Sequence, residues 1–354
     1  MTEATPARHG PVDVEGRTRR PFSEHRAMAR AYPGGRMTLG AIAPLEGYRG
    51  AVPSLAGHTE LIQQAERAGF ASVWVRDVPL LDPYFGDAGQ VFDPWVYLGH
   101  LGACTGSITL GTASIALPLR HPLHTAKAAS TVDRLSGGRL LLGVATGDRL
   151  IGFPAFGQDS ETRDERFPES LAYFRAVLEQ RFPEVDSPLG RTHGTDLLPK
   201  PVYGRIPVLM RGRGGQDIDW IAENTDGRLS YTPPFQQQAA NIRAWRALTG
   251  GDSAETGSVF KPYAQATALD LSENPLALPS RIHQGYSVGR SPFLEMLLAW
   301  QEIGVDQLML NFKQSRRPVS EVIDELAEYV LPHFPPGVPV TDEEKPLVKV
   351  GEAA

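Results

Sequence analysis

From Met37 onward the chain alternates between two hydrophobic periods. Short, nearly continuous apolar runs recur, and after each a loop leads into a segment with apolar positions three and four apart. The runs are MTLGAIA (37–43), SVWVR (72–76), ITLGTASIAL (108–117), RLLLGVAT (139–146), IPVLM (206–210), GRLSY (227–231), PYAQATALDL (262–271) and QLMLNF (307–312). Strands apolar on both faces belong to a parallel sheet whose outside is covered by helices. Eight such units predict an α/β fold, a (β/α)8 TIM barrel over residues 37–335. The helical segments are punctuated as helices should be: LAGHTELIQQAERAGF ends at Gly69, and SPFLEMLLAWQEIGVDQ places Gly304 before the last strand.

Outside that pattern, residues 1–36 read as a polar, Arg-rich arm rather than a core element, with PFSEHRAMARAY predicting a short helix packed on the main body. Residues 336–354 read as a Pro- and charge-rich tail. Two long loops interrupt the rhythm, 77–95 after the second strand and 147–167 after the fourth. Loops of that length in a barrel are usually functional, and both fall at C-terminal strand ends, where barrels carry their chemistry.

Composition narrows the classes. A net charge of −6 argues against a nucleic-acid partner, which would require a basic face. The single cysteine, Cys104, excludes a disulfide within the chain and reads as a small buried hydrophobe. No apolar run is long enough to span a bilayer, and no apolar region follows the paired Arg19 and Arg20 as an export signal would require, so the cytoplasm is expected.

The stretch PLRHPLHTAKAASTVDRLSGGRLLLGVATGD (118–148) reads as a turn fixed by Pro118 and Pro122, a helix over about 123–135, and a C-cap at Gly137 or Gly138. Ala126, Ala128, Ala129 and Ser130 let this helix approach the barrel closely. The following strand ends in Thr146, Gly147 and Asp148, which puts a hydroxyl, a free N–H and a carboxylate into the barrel mouth; a capped turn explains the same residues. LMRGRGGQDIDW ends the fifth strand in a Gly-rich loop opening toward a helix near Gln216. Arg211, Gly212, Arg213, Gly214 and Gly215 there suit a phosphate, though a purely steric turn has the same pattern. It is not the dinucleotide fingerprint, since Asp217 stands where the third glycine belongs. His121 and His124 are three apart with no third ligand, so no metal site is expected; they and Asp77, at the end of the second strand, are the candidates for acid–base work.

The segment LPLRHPLHTAKAASTVDRLSGGRLLLGVATGDR resembles the signature of the bacterial luciferase-like monooxygenase superfamily, flavin-dependent (β/α)8 enzymes, and the order of elements follows that family from about Met37 to Phe334. VATGD and DERF resemble its alkanesulfonate monooxygenase branch, with Phe167 where a tyrosine is usual; WVRDVPLLDPYFGDAGQVFDPWVY resembles a luciferase-type oxidoreductase subgroup of unassigned substrate. The resemblance implies FMN, with its phosphate at Arg211–Gln216 and its ring flanked by Ala43, Pro44, Asp77, Ser114, Thr146 and Gly147. It implies a monooxygenase acting with dioxygen on a small, partly hydrophobic substrate, supplied with reduced flavin by a separate reductase, and a homodimer. The same family includes F420-dependent hydride-transfer enzymes and flavin-binding proteins without turnover, so both remain alternatives. A sugar-phosphate isomerase would share the phosphate loop, but only Asp77 or Asp148 could act as its base.

Overall fold

The computed structural model describes residues 25–250 and 260–338. Arg19, Arg20 and most of the tail lie outside the described residues. Each apolar run pairs in parallel with its neighbours. The strands are β1 (Thr38–Ile42), β2 (Ser72–Val75), β3 (Thr109–Thr112), β4 (Leu140–Ala145), β5 (Val208–Arg211), β6 (Gly227–Tyr231), β7 (Tyr263–Leu271) and β8 (Gln307–Asn311). They pair in order, and β8 returns to β1, closing an eight-stranded parallel barrel. The helices following the strands are α2 (His58–Ala68), α3 (Pro94–Cys104), α4 (Pro122–Ser136), α5 (Arg163–Glu179), α6 (Ile218–Asn224), α7 (Phe235–Thr249), α8 (Arg290–Glu302) and α9 (Val319–Tyr329). α4 is capped by His121 at its start and by Gly137, at φ 68°, at its end. Two antiparallel hairpins are added, one at 185–192 and one at 280–288 whose second strand extends β7.

Strand alternation divides the apolar residues into two sets. One packs outward against the helices, and the other fills the barrel, where Ile42, Trp74, Leu141, Leu209, Leu229, Ala264 and Met309 meet. Trp74, read as core from its strand position, is fully buried, and its indole N–H donates to Ser72 Oγ at 2.7 Å and Gln307 Oε1 at 3.0 Å. Gly111 lies against that ring: a Cβ there would come within 2.3 Å of Trp74 Cε3.

Two expectations are corrected. The third strand, expected to run unbroken over 108–117, stops at Thr112 and resumes as Ile115–Ala116, with a cis peptide between Ala113 and Ser114. The resumed piece pairs only with Val144 and Ala145 of β4, and Ala116 N–H turns to Asp77 Oδ2 at 3.3 Å. The boundary at Met37 also places one element wrongly. The expected short helix, α1 (Arg26–Ala31), is part of the core, because Ala27, Met28, Ala31 and Tyr32 are buried in the inner cluster. Thr38 Oγ1 donates to Ala31 O at 2.6 Å and Thr109 Oγ1 to Ala27 O at 3.3 Å, so α1 closes the end of the barrel where strands begin.

Candidate functional site

At the opposite end the strand termini and the two long loops enclose a cavity of about 700 Å3, within the range of small-molecule sites. Its floor is apolar, with Ile42, Ala113, Ala145 and Ala266 among its lining residues. The loops meet above it, where the Arg149 guanidinium lies 4.8 Å from the centre of the Phe85 ring.

Several residues singled out from the sequence line this cavity: Asp77, Ser114, Thr146, Gly147, Arg211, Gly212 and Gly214. Asp77 is not a free base. Its side chain is 1% exposed, and its carboxylate accepts from Arg120 at 2.7 and 2.9 Å. Burial opposes charge on Arg120, but the bonds to Asp77 and then Asp93 outweigh it and hold the guanidinium above its ordinary value. Asp87, which sequence reasoning missed, is committed in the same way. It accepts from Arg76 at 2.7 Å and from Tyr48 at 2.8 Å. Burial would raise the Asp87 carboxyl, but Arg76 overcomes this and holds it well below the usual carboxylate range. Five cationic residues (Arg76, Arg149, Arg211, Arg228, Lys313) line the mouth against three acidic ones (Asp77, Asp87, Asp148), an excess of positive charge in an acidic chain.

The Gly-rich loop is more differentiated than its sequence suggests. Arg211 points into the cavity, donates to Ala113 O at 3.2 Å and stacks 4.2 Å from the Tyr231 ring centre. Arg213 is exposed and does not line the cavity. Gly212, at φ 70°, faces open space, whereas a Cβ on Gly214 would strike Thr146 Cγ2 at 2.7 Å and one on Gly215 would strike Asp164 Cβ at 2.5 Å. Only Gly212 therefore leaves room for an incoming group; the next two glycines are required by packing. Gln216 Nε2 donates to Asp164 O and Gly214 O, which ties the loop to the start of α5. The helix begins at Ile218, two residues later than expected, and Asp217 caps it by accepting from Trp220 N–H at 2.7 Å.

Other expected residues fall elsewhere. His121 Nδ1 accepts from Leu123 N–H, and its Nε2 is bonded to Leu189 O at 2.7 Å, so the ring caps α4 and anchors the 185–192 hairpin. His124 lines a separate cavity of about 340 Å3 beside that hairpin. Neither lines the mouth. Ala43 and Pro44 lie just past β1, and the cavity meets Ile42 instead; Ala43 packs outward. Phe167 is fully buried against Trp220 rather than in the mouth. Sequence reasoning missed Arg228, Ser230, Tyr231, Asn311 and Lys313. Asn311 and Tyr231 end strands, so the rule that found Thr146 applies to them too. Among the described residues no cluster of three or more His, Cys, Asp or Glu side chains could hold a metal ion. No helix among them is long and apolar enough to cross a membrane.

A closed parallel barrel with a cationic, loop-covered mouth defines the class. The chain belongs to the luciferase-like monooxygenase family, which it matches over residues 33–268. It is 31% identical to an F420-dependent hydroxymycolic acid dehydrogenase of Mycobacterium tuberculosis, with 79% of each chain covered. It is 26% identical to the alkanal monooxygenase alpha chain of Photorhabdus luminescens, covering 45% of this chain and 43% of that one. An F420-dependent secondary alcohol dehydrogenase shares the fold with TM-score 0.67 at 17% identity, over 84% of this chain and 99% of the other.

Proposed function

We propose that the chain is a flavin-dependent monooxygenase that uses reduced FMN and dioxygen on a small, partly hydrophobic organic substrate. One observation carries this reading: the cavity has an apolar floor, and its carboxylates Asp77 and Asp87 are already held by arginines. Such a site orients and desolvates its contents but offers no free base at its floor, which suits chemistry supplied by a cofactor. The residues fit FMN: an alanine-lined floor for a flat ring, the Ser114 and Thr146 hydroxyls at its edge, and Arg211 beside the open backbone of Gly212 for a phosphate. Bound there, reduced FMN would supply the oxygen-activating chemistry. The protein's part is to position the ring, to close Phe85 and Arg149 over it, and to exclude water. A separate reductase would deliver the flavin, and the working form would be a cytoplasmic homodimer.

The match of 31% identity over 79% of both chains supports a second reading, hydride transfer with F420. That reaction would need a proton acceptor, and the rim offers Asp148 and His283. Fluorescence titration with FMN and F420 separates the two. We expect tighter FMN binding and oxygen uptake above the free-flavin background with reduced FMN and a panel of aldehydes, sulfonates and cyclic ketones. Binding of F420 alone, with alcohol-dependent reduction and no oxygen uptake, would establish the second reading. Tight flavin retention without any turnover would make the chain a flavin carrier.

A further inference from the structure

Among the described residues, most arginines drawn into the fold meet several acceptors or a carboxylate. Arg139 donates five hydrogen bonds, Arg175 and Arg205 share Asp226, and Arg246 meets Asp306. Arg228, the second residue of β6, is not matched in this way. It is 8% exposed, and its Nε and Nη1 have no hydrogen-bond partner. Burial above all disfavours its charge; Tyr263 favours it and the neighbouring Arg213 disfavours it, leaving the guanidinium below its ordinary value. The Trp245 ring, whose centre lies 5.8 Å from its guanidinium carbon, is a weak substitute for a counter-ion.

The groups around Arg228 are unsatisfied as well. Leu229 and Ala264 point into the barrel, so Arg228, Ser230 and Gln265 share the outer face beneath α7. Ser230 and Gln265 are opposite each other in register. Ser230 Oγ, both polar atoms of the fully buried Gln265, and Oε1 of the fully buried Gln238 on α7 lack partners. Six orphaned polar atoms on these four residues, two of them on a cation, are costly unless something fills the place. Arg228 and Ser230 are also among the residues that line the mouth cavity, so the patch adjoins it.

We propose that the outer face of β6 and β7 carries an anion-binding subsite, in which Arg228, Ser230 and Gln265 receive a carboxylate or phosphoryl oxygen entering from the barrel mouth. It is separate from the loop after β5 and does not depend on the flavin reading. Arg228 and Ser230 donate to the anion, the Gln265 amide N–H adds a third donor, and the anion supplies the missing counter-charge.

The test is thermal unfolding of the full chain with sodium phosphate or sodium acetate, using chloride to control ionic strength. We expect a saturable stabilisation of wild type by at least one of the two anions, beyond that of chloride. Arg228→Met should weaken it by about tenfold or more, the usual loss for a charge-assisted contact. Without anion, Arg228→Met should be as stable as wild type or more so, because it removes an unpaired buried charge. Arg191→Ala, on the exposed 185–192 hairpin, should keep the response. An equal anion response in wild type and Arg228→Met would mean an adventitious ion only and would overturn the proposal, as would an Arg228→Met protein that is destabilised yet still responds. If Arg228→Met fails to fold, Ser230→Ala and Gln265→Leu carry the test, and an unchanged response in both rejects the subsite. Flavin titration of Arg228→Met identifies the source. A loss for FMN but not riboflavin assigns the cofactor phosphate, and unchanged affinity for both, with the anion response lost, assigns a substrate group. Equal losses for both flavins would make Arg228 a part of the fold and end the proposal. Wild type that responds to anion but binds no flavin would refute the flavin reading while leaving this one standing.

Discussion

At the level of single residues, the sharpest distinction lies between two arginines two positions apart. The sequence presents Arg211 and Arg213 as equivalent flanks of Gly212, and strand alternation makes them different. Arg211 follows Leu209 on the inward face and reaches the cavity, while Arg213 lies in the turn and is exposed. If a flavin phosphate rests at this loop, Arg211→Ala should lower FMN affinity about ten- to a hundredfold, the loss of one charge-assisted hydrogen bond. Arg213→Ala should leave it nearly unchanged, and riboflavin should be indifferent to both. Titration of the two variants with the two flavins checks this; an Arg213→Ala loss larger than that of Arg211→Ala would reverse the assignment. Arg139 shows the other limit of legibility. Its tetrapeptide, SGGR, marks a helix stop in the sequence, and Gly137 caps α4. Its guanidinium, however, bonds the carbonyls of Gly102, Thr105, Ile108 and Ser136 and the Thr105 hydroxyl, which only the folded chain brings together.

At the level of elements, the eight strands were legible because burial on both faces leaves an unbroken apolar run, and Gly69 and Gly137 marked the ends of α2 and α4. The break in the third strand was not legible, since ITLGTASIAL carries no proline and no charged residue to mark it. Nor was the clamp that joins α2 to the α3–β3 turn. There Glu66 accepts from the N–H groups of Gly106, Ser107 and Ile108, residues about forty positions away. Burial would raise the Glu66 carboxyl, but the N–H groups of Ile108 and Ser107 outweigh it and hold it below its usual value. The sign follows directly. A carboxyl lowered in the folded state contributes stability above its unfolded value, about 4.3, and that contribution is lost as pH falls through the folded value. Glu66→Gln should cost roughly 1–2 kcal/mol near pH 7, reduced toward the lower figure because the site is partly solvated. The gap between variant and wild type should narrow as pH falls below 4. Urea unfolding at pH 7, 5 and 3 measures it; a gap that stays constant would show that the clamp does not act through its charge.

At the level of the whole molecule, the barrel separates stability from chemistry by placing them at opposite ends. The cavity and the long loops belong to the ends of the strands, whereas α1 closes the end where they start. Reading residues 1–36 as an arm followed from their polarity taken as a whole, which concealed the few apolar positions that matter. Met28 and Tyr32, with Ala27 and Ala31, are buried against the inner cluster at the end of the barrel, and Gln307 Nε2 and Thr38 Oγ1 both donate to the Ala31 carbonyl. A chain beginning at Met37 would expose the apolar lower layer of the barrel and leave those two donors without their acceptor. Burying two large side chains is worth about 1.5–3 kcal/mol each, so the truncation should cost several kcal/mol and shift the urea midpoint downward. Because α1 does not line the mouth, flavin affinity measured on the fraction that remains folded should match that of the full chain. Both quantities come from one preparation, by denaturant titration with and without saturating FMN. An unchanged midpoint would return residues 26–32 to the status of an arm, and a folded truncate with weakened flavin binding would show that the two ends of the barrel are coupled through its inner layers.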